Sequence, residues 1–224
     1  MIREKINKIP LGAKSAIVYT MATIFSRGLS IITVPIFTRL MSTEQIGTVN
    51  LYNSWVAILC IFVNLSLTSG GYSAALLEFK NERNKYQSSV LSLTTIMALF
   101  LLASYLIVPE LWQSLTGLSD SLLLLMFIGF VFTPAQEFWL LRQRFEYKYK
   151  LAGLLTMGTA LASSILSIVA VIGLNKTKPE LLAEGRLFST NIIIYSVAAG
   201  IWLMLMIRGR TFFDFKYWKY SLKL

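Results

Sequence analysis

Six long apolar segments, separated by short polar stretches, dominate this sequence of 224 residues. A helix crosses the hydrocarbon core of a bilayer with about 20 residues, and each segment is close to that length. Only 14% of the residues are charged, whereas a soluble domain carries about 25%. The pattern predicts an all-α integral membrane protein, a six-transmembrane-helix bundle with spans at about residues 15–40, 48–68, 88–108, 122–141, 151–174 and 187–207.

The basic residues are distributed unevenly between the two ends of these spans. Sixteen of the 21 Lys and Arg residues fall on one side, four fall on the other, and Arg27 lies within the first span. Cytoplasmic segments are enriched in Lys and Arg, so the bias predicts that both termini face the cytoplasm. The net charge of +10 thus reflects topology, and we expect contact with membrane lipids and not with nucleic acid. The predicted cytoplasmic segments are residues 1–14, 70–87, 142–150 and 208–224.

The chain lacks residues that most catalytic and metal sites require. It contains no histidine, and Cys60 is its single cysteine, so a catalytic histidine and the usual zinc sites are excluded. No GxxxxGK[ST] loop is present to hold nucleotide phosphates, and the 11 acidic residues are scattered. We therefore expect no metal and no cofactor, although an enzyme built from carboxylates remains an alternative.

Arg27 lies near the middle of the first predicted span and belongs to a polar stripe. At 100° per residue, Thr20, Thr23, Ser30 and Thr38 all fall within about 60° of Arg27 on the helix surface. The opposite face of this helix is apolar. We therefore expect the stripe to face protein or water, with Thr20, Thr23, Arg27 and Ser30 as candidate binding residues. The alternative is that Arg27 only locks the bundle through a salt bridge or backbone carbonyls.

Asparagines in the second span share one face of the helix in the same way. Asn50, Asn53 and Asn64 coincide on that face because an interval of eleven residues is about three turns. Asn53 and Asn64 are therefore candidate binding residues on the wall of an interior shared with the first span. The alternative is that these amides only join neighbouring helices, as polar side chains do in many membrane bundles.

Glu137 is a carboxylate near the end of the fourth predicted span, close to Pro134, Arg142 and Arg144. One interpretation is a surface ion pair with those arginines. The other is a carboxylate that faces a cavity and binds a proton or Na⁺, which makes Glu137 a candidate for coupling transport to an ion gradient.

Local signals predict how some helices begin, end and pack. Ser42 and Gln45 have the spacing of a capping box at the start of the second helix, so the first two helices are expected to form a tight antiparallel pair. The Gly70-Gly71 pair is interpreted as a helix terminator. In the fifth span, small residues predict close helix packing along a seam of Ala152, Thr156, Ala160 and Ser164.

The segment "FSRGLSIITVPIFTRLMSTEQIGTVNLYNSW", from Phe25 to Trp55, resembles the start of the polysaccharide biosynthesis proteins. These are the repeat-unit flippases of the multidrug/oligosaccharidyl-lipid/polysaccharide (MOP) exporter superfamily. The matching features are "FSR", the turn "TRLMSTEQIG" and the following "YNSW". A looser similarity continues through the Gly-Gly loop and "RQRFEYKYK" and covers the whole chain.

The resemblance implies a transporter that moves undecaprenyl-pyrophosphate-linked oligosaccharides from the inner to the outer leaflet of a bacterial cytoplasmic membrane. It also implies two six-helix lobes around a cationic cavity. Residues 1–224 correspond to one N-terminal lobe, with the C-terminal lobe absent, and the alternative partner is a second copy of the chain. Arg27 matches "FSR" and is expected to bind the pyrophosphate. A second family arginine is not apparent, because Thr33 and Val34 occupy its region.

Two other functions stay open at the level of sequence. One is a MATE-like exporter of small cationic molecules from the same superfamily, which the cationic Arg27 disfavours. The other is a membrane enzyme of glycan assembly.

Overall fold

The computed structural model describes residues 10–68 and 71–223, and the regular elements in those ranges are all helical. The predicted cytoplasmic segment 1–14 therefore lies mostly outside the described residues. In chain order the elements are α1 (Leu11–Leu40), α2 (Thr43–Asn64), α3 (Gly71–Glu78), α4 (Arg83–Ile107), α5 (Pro109–Thr116), α6 (Asp120–Phe145), α7 (Tyr149–Thr177), a 3₁₀ turn (Pro179–Leu181), α8 (Leu182–Gly209) and α9 (Phe215–Ser221).

Six of these helices, α1, α2, α4, α6, α7 and α8, are long and apolar enough to cross a membrane. They coincide with the six predicted spans, so the prediction of an all-α membrane bundle is confirmed. Most observed helices extend a few residues beyond the apolar segments, because helical hydrogen bonding continues into the polar ends. Helices α3 and α5 were not expected from the sequence, because a helix of eight residues is too short to cross a membrane.

The spans pack around α8, which contacts α7, α6, α4 and α2, while α6 is the most buried span. Helix α1 packs along α7 and makes at most marginal contact with α2. The predicted tight antiparallel pair of α1 and α2 is therefore wrong. A capping box fixes where a helix starts, whereas the neighbours of that helix are chosen by its faces along the whole length.

Two clusters of buried side chains hold the bundle together, one toward each end. Toward the α1–α2 turn, Tyr105 stacks on Phe127 with ring centroids 5.3 Å apart. Toward the other end, Tyr72 lies against Phe138 at 5.0 Å, and Tyr217 of α9 meets this second cluster edge-on. The aromatic contacts attach the short helices α3 and α9 to the long ones.

The helix ends agree with one local prediction and contradict another. The Ser42 side chain accepts from the Gln45 amide at 3.2 Å, and the Gln45 side chain accepts from the Ser42 amide at 3.0 Å, so the capping box is confirmed. Helix α2 ends at Asn64, and the next residue, Leu65, caps it with a left-handed φ of 48°. Gly71 begins α3, and Gly70 lies outside the described residues. The predicted Gly-Gly terminator is thus not what ends α2.

Hydrogen bonds between distant loops place alternate connections at opposite ends of the bundle. At the end with the α1–α2 turn, the predicted outer end, Gln45 Nε2 donates to the Pro179 carbonyl at 2.6 Å. At the predicted inner end, an Arg142 Nη1 donates to Asn84 at 2.7 Å and to Gln87 at 2.8 Å. The two ends therefore correspond to the two sides on which the basic residues were counted.

Glu146 organises the basic residues at the predicted inner end. Its carboxylate accepts from Arg142 Nε at 3.0 Å and from Lys148 Nζ at 2.6 Å, and Arg83 lies 3.6 Å away. Partial burial favours the neutral acid, but the hydrogen bonds from Lys148 and Arg142 outweigh it and hold the pKa of Glu146 below its usual value. The carboxylate therefore ties α6 to α4 and to the start of α7.

Candidate functional site

A polar cavity of about 410 Å³ runs between α1, α6, α7 and α8. Nine of its 14 lining residues carry a hydroxyl group, and none carries a carboxylate. We call it the hydroxyl groove, and its lining residues are Ser26, Ser30, Thr33, Phe37, Gln136, Thr156, Thr159, Ala160, Ser163, Ser164, Ser167, Arg186, Thr190 and Ile194. It is a large polar space within the membrane-spanning part of the fold.

The spacing of the hydroxyl residues explains why they line one space. Along α1 and along α7 they recur every three or four residues, which places them on a single face of each helix. Several donate to carbonyls of their own helix, for example Ser26 to Ala22 at 2.9 Å and Thr159 to Leu155 at 2.8 Å. This back-bonding uses the hydroxyl proton and leaves the oxygen lone pairs free to accept from a ligand.

The predicted packing seam of α7 contributes to this groove. Ala152 is fully buried, as expected for close packing. Thr156, Ala160 and Ser164 instead line the groove. The sequence carries no signal that separates these roles, because a small polar residue fits both a helix contact and a cavity wall.

Arg186 lies in the first turns of α8 and was not singled out by sequence analysis. Its guanidinium lies over the Phe37 ring at 3.9 Å, and its Nη1 is 4.0 Å from the Met41 sulfur. It is partly buried and forms no ion pair with any residue in 10–68 or 71–223. In the sequence it resembles an interfacial cation, and only its interval of four from Thr190 hints at a shared polar face.

Of the four candidate binding residues in the polar stripe of α1, one lines the hydroxyl groove. Ser30 lines the groove, whereas Thr20, Thr23 and Arg27 are exposed and are not among its lining residues. The Thr23 and Ser30 hydroxyls donate to carbonyls one turn earlier, at 2.9 and 3.3 Å. Arg27 forms no salt bridge, carbonyl contact or other hydrogen bond within the described part of the chain. Residues 10–68 and 71–223 therefore supply no group that Arg27 locks in place.

Glu137 faces α2, whereas the preceding residue in the helix, Gln136, lines the groove. Its Oε2 accepts from Asn64 Nδ2 at 2.8 Å. Arg142 binds Glu146 instead, so the interpretation of Glu137 as a surface ion pair is wrong. The structure leaves a half-buried carboxylate held by an amide, and Asn64 Oδ1 beside it is buried without a partner among the described residues.

Asn53 is separated from this pair although it shares a helix face with Asn64. Its side chain is exposed and makes no hydrogen bond to any described residue, and the same is true of the Asn50 side chain. Because the three asparagines lie at different heights, only the one at the end of α2 reaches α6. The described ranges also contain no group of three or more Cys, His, Asp or Glu side chains that would suit a metal ion.

Comparison with known proteins gives a family and no individual relative. No curated protein and no solved structure matches the chain. The family model described as polysaccharide biosynthesis protein matches residues 13–223, which is nearly the whole chain. The match includes the "FSR" of α1, the capped turn and all six membrane spans. The chain is therefore a member of the polysaccharide biosynthesis protein family, with the all-α membrane fold of a transporter-type protein.

Proposed function

We propose that the chain is one lobe of a flippase that moves polyprenyl-pyrophosphate-linked oligosaccharides across the bacterial cytoplasmic membrane. The observation that carries the proposal is Arg27, a permanent cation in the middle of a membrane span that has no partner among the described residues. An arginine at this depth costs about 2.5–3.5 kcal/mol on insertion scales. Such a residue persists where it meets water, another protein surface or an anionic substrate.

The guanidinium of Arg27 suits the pyrophosphate of a lipid carrier. It stays protonated and presents a planar fork that donates two parallel hydrogen bonds to phosphate oxygens. The hydroxyls of Thr20, Thr23 and Ser30 extend along the same stripe and supply further polar contacts. Asn53 and Asn64 stay candidate contacts of the same substrate, on α2, which packs against α6 and not along α1.

The second partner in this proposal is another six-helix lobe. Much of α1 is uncovered, including Ile24, Ile31 and Ile32, which are 59%, 75% and 65% exposed. A polar stripe beside such apolar surface fits a helix that borders both lipid and an internal cavity. A C-terminal lobe closes that cavity, and a second copy of the chain is the alternative.

Substitution of Arg27 tests the proposal directly. In the full-length protein, Arg27→Ala should abolish export of surface polysaccharide while membrane abundance stays near normal, and Arg27→Lys should restore only part of it. Arg39→Ala is the matched control, because Arg39 lies exposed in the last turn of the same helix. Normal export by the Arg27→Ala variant would refute the substrate role. Loss of export together with loss of the protein would assign Arg27 to assembly.

Glu137 and Asn64 are proposed as the ion-coupling element of the same transporter. A half-buried carboxylate next to an unpartnered amide oxygen offers oxygen ligands to a proton or Na⁺. Glu137→Gln preserves shape and should remove the dependence of export on the proton or sodium gradient. Glu44→Gln, at an exposed carboxylate, serves as control. An unchanged gradient dependence in the Glu137 variant would reject this role.

Headgroup chemistry distinguishes the flippase from its alternatives. Polyprenyl pyrophosphate should protect the purified protein against thermal unfolding, whereas organic cations should not, because Arg27 and Arg186 repel them. Protection by organic cations alone would favour a MATE-like exporter. Turnover of a sugar donor by the purified protein would favour an enzyme of glycan assembly, and we expect none.

A further inference from the structure

Several polar groups in the hydroxyl groove have no hydrogen-bond or ion-pair partner among the residues that the structure describes. Ser167 is 2% exposed and lines the groove, yet its hydroxyl makes no hydrogen bond to any described residue. The side chains of Ser164 and Gln136 also have no partner within residues 10–68 and 71–223, and Arg186 has no carboxylate there. Ser167 is a buried residue and the other three are partly exposed where they line the groove, so together they offer unused hydrogen-bonding groups to a ligand.

These four side chains share a chemical preference for an anion. A guanidinium, a carboxamide and two hydroxyls all donate hydrogen bonds, and the groove contains no carboxylate that accepts from them. Arginine in particular matches the geometry of phosphate, to which it donates two parallel bonds. Arg186 is also oriented by its contact with Phe37, so little side-chain entropy remains to be lost on binding.

The remaining hydroxyls favour a sugar beside the anion. Ser26, Thr156 and Thr159 already donate to carbonyls of their own helices. They therefore face the groove as acceptors, which complements the hydroxyl donors of a sugar ring. The cavity volume of about 410 Å³ lies within the range of about 300–1,000 Å³ that is usual for small-molecule sites.

We propose that the hydroxyl groove binds a phosphorylated sugar, with Arg186 and Ser167 on the phosphate and the hydroxyl faces of α1 and α7 on the sugar. This inference rests on the proposed function and adds a second anion subsite to it. Phe37, which Arg186 covers, follows Arg27 by ten residues, a distance of about 15 Å along α1. Arg186 thus lies about three turns of α1 beyond Arg27.

Binding of a sugar phosphate to the purified protein tests the inference without any transport step. Isothermal titration calorimetry would compare α-D-glucose 1-phosphate, inorganic phosphate and D-glucose in detergent solution. We expect the sugar phosphate to bind at least about tenfold more tightly than either fragment, because only it reaches both donors and acceptors. Absence of binding would overturn the proposal, and equal binding of inorganic phosphate would overturn its sugar component.

Two substitutions locate the binding in the groove. Arg186→Gln should weaken binding of the sugar phosphate about 10- to 100-fold, because a charge-assisted pair of hydrogen bonds is lost. Arg39→Gln, an exposed arginine near the same end of α1, should have no effect. Ser167→Ala should weaken binding several-fold without lowering the melting temperature, since its hydroxyl makes no hydrogen bond to any described residue. The Ser167→Ala variant keeps the test valid if the Arg186→Gln variant misfolds.

Two more variants serve as a control and as a means to separate this inference from the proposed function. Ser196→Ala should bind normally, because Ser196 is exposed and donates to Ile192 in its own helix. Wild-type affinity in both groove variants would reject the inference. Normal export by Arg27→Ala with lost binding by Arg186→Gln would reject the proposed function and retain the groove site, and the reverse result would reject only the groove site.

Discussion

Replacement of Gly209 by alanine tests how closely α8 approaches α4. A Cβ added at Gly209 would lie 2.5 Å from the carbonyl oxygen of Asn84 and would also collide with the Ser88 side chain. The Asn84 oxygen belongs to a backbone, so it cannot rotate away as a side chain does. Ordinary contact needs nearly 1 Å more, and one of the two helices must shift to provide it.

The expected cost follows from two opposing effects. Overpacking of a close contact costs about 1–3 kcal/mol and more where backbone must move, while replacing glycine by alanine in a helix returns up to about 1 kcal/mol. We therefore expect Gly209→Ala to lose about 2 kcal/mol of stability. For a chain of this size that corresponds to a fall of about 4–8 °C in melting temperature.

Thermal unfolding of the purified protein in detergent measures this effect, and the same helix supplies the control. Gly200 has no atom within 4 Å of its added Cβ, so Gly200→Ala should leave the melting temperature unchanged or raise it slightly. Equal melting temperatures for the two variants would refute the argument, because helix propensity alone would then explain both.

Three further predictions concern the ends of the bundle. Ser42→Ala removes the N-cap of α2 and should cost about 1 kcal/mol, and an unchanged melting temperature would contradict this. Glu146→Gln should lower stability by about 2 kcal/mol near pH 7. Because the hydrogen bonds from Lys148 and Arg142 hold the folded-state pKa of Glu146 below its ordinary value, the difference from wild type should be lost as the pH falls through that lower, folded-state pKa, and a constant difference would refute it. Alkaline phosphatase fusions should be inactive after Lys85 and active after Asp120, and the opposite pattern would invert the topology.

The parts of the fold that could be predicted are those with a local physical cause. Hydrophobic length alone located the six spans, because a bilayer imposes about the same length on each of them. The capping box was equally local, since Ser42 and Gln45 satisfy each other within one turn. Both signals can be interpreted from the sequence without knowing which helices pack against each other.

The parts that could not be predicted depend on which faces meet. Helix α1 is separated from α2 because it packs on α7. The spacing of residues within α1 does not indicate which helix its faces contact. From the sequence, Arg186 resembles an interfacial cation, because its contact with the Phe37 ring of another helix is visible only in the structure. Glu137 has arginines five and seven residues later in the chain, but its partner is Asn64 of another helix. The composition of the candidate site therefore depends on side-chain contacts between different helices.

The Gln45 side chain makes the outer turns of the bundle interdependent. Its carboxamide oxygen accepts from the Ser42 amide while its nitrogen donates to the carbonyl of Pro179, in the turn between α7 and α8. A rotation of the amide group by half a turn would break both bonds at once. Solvent exchange of the Ser42 amide proton therefore reports whether the α7–α8 turn is in place, although 137 residues separate Ser42 from Pro179 along the chain. Opening at either turn loosens the other.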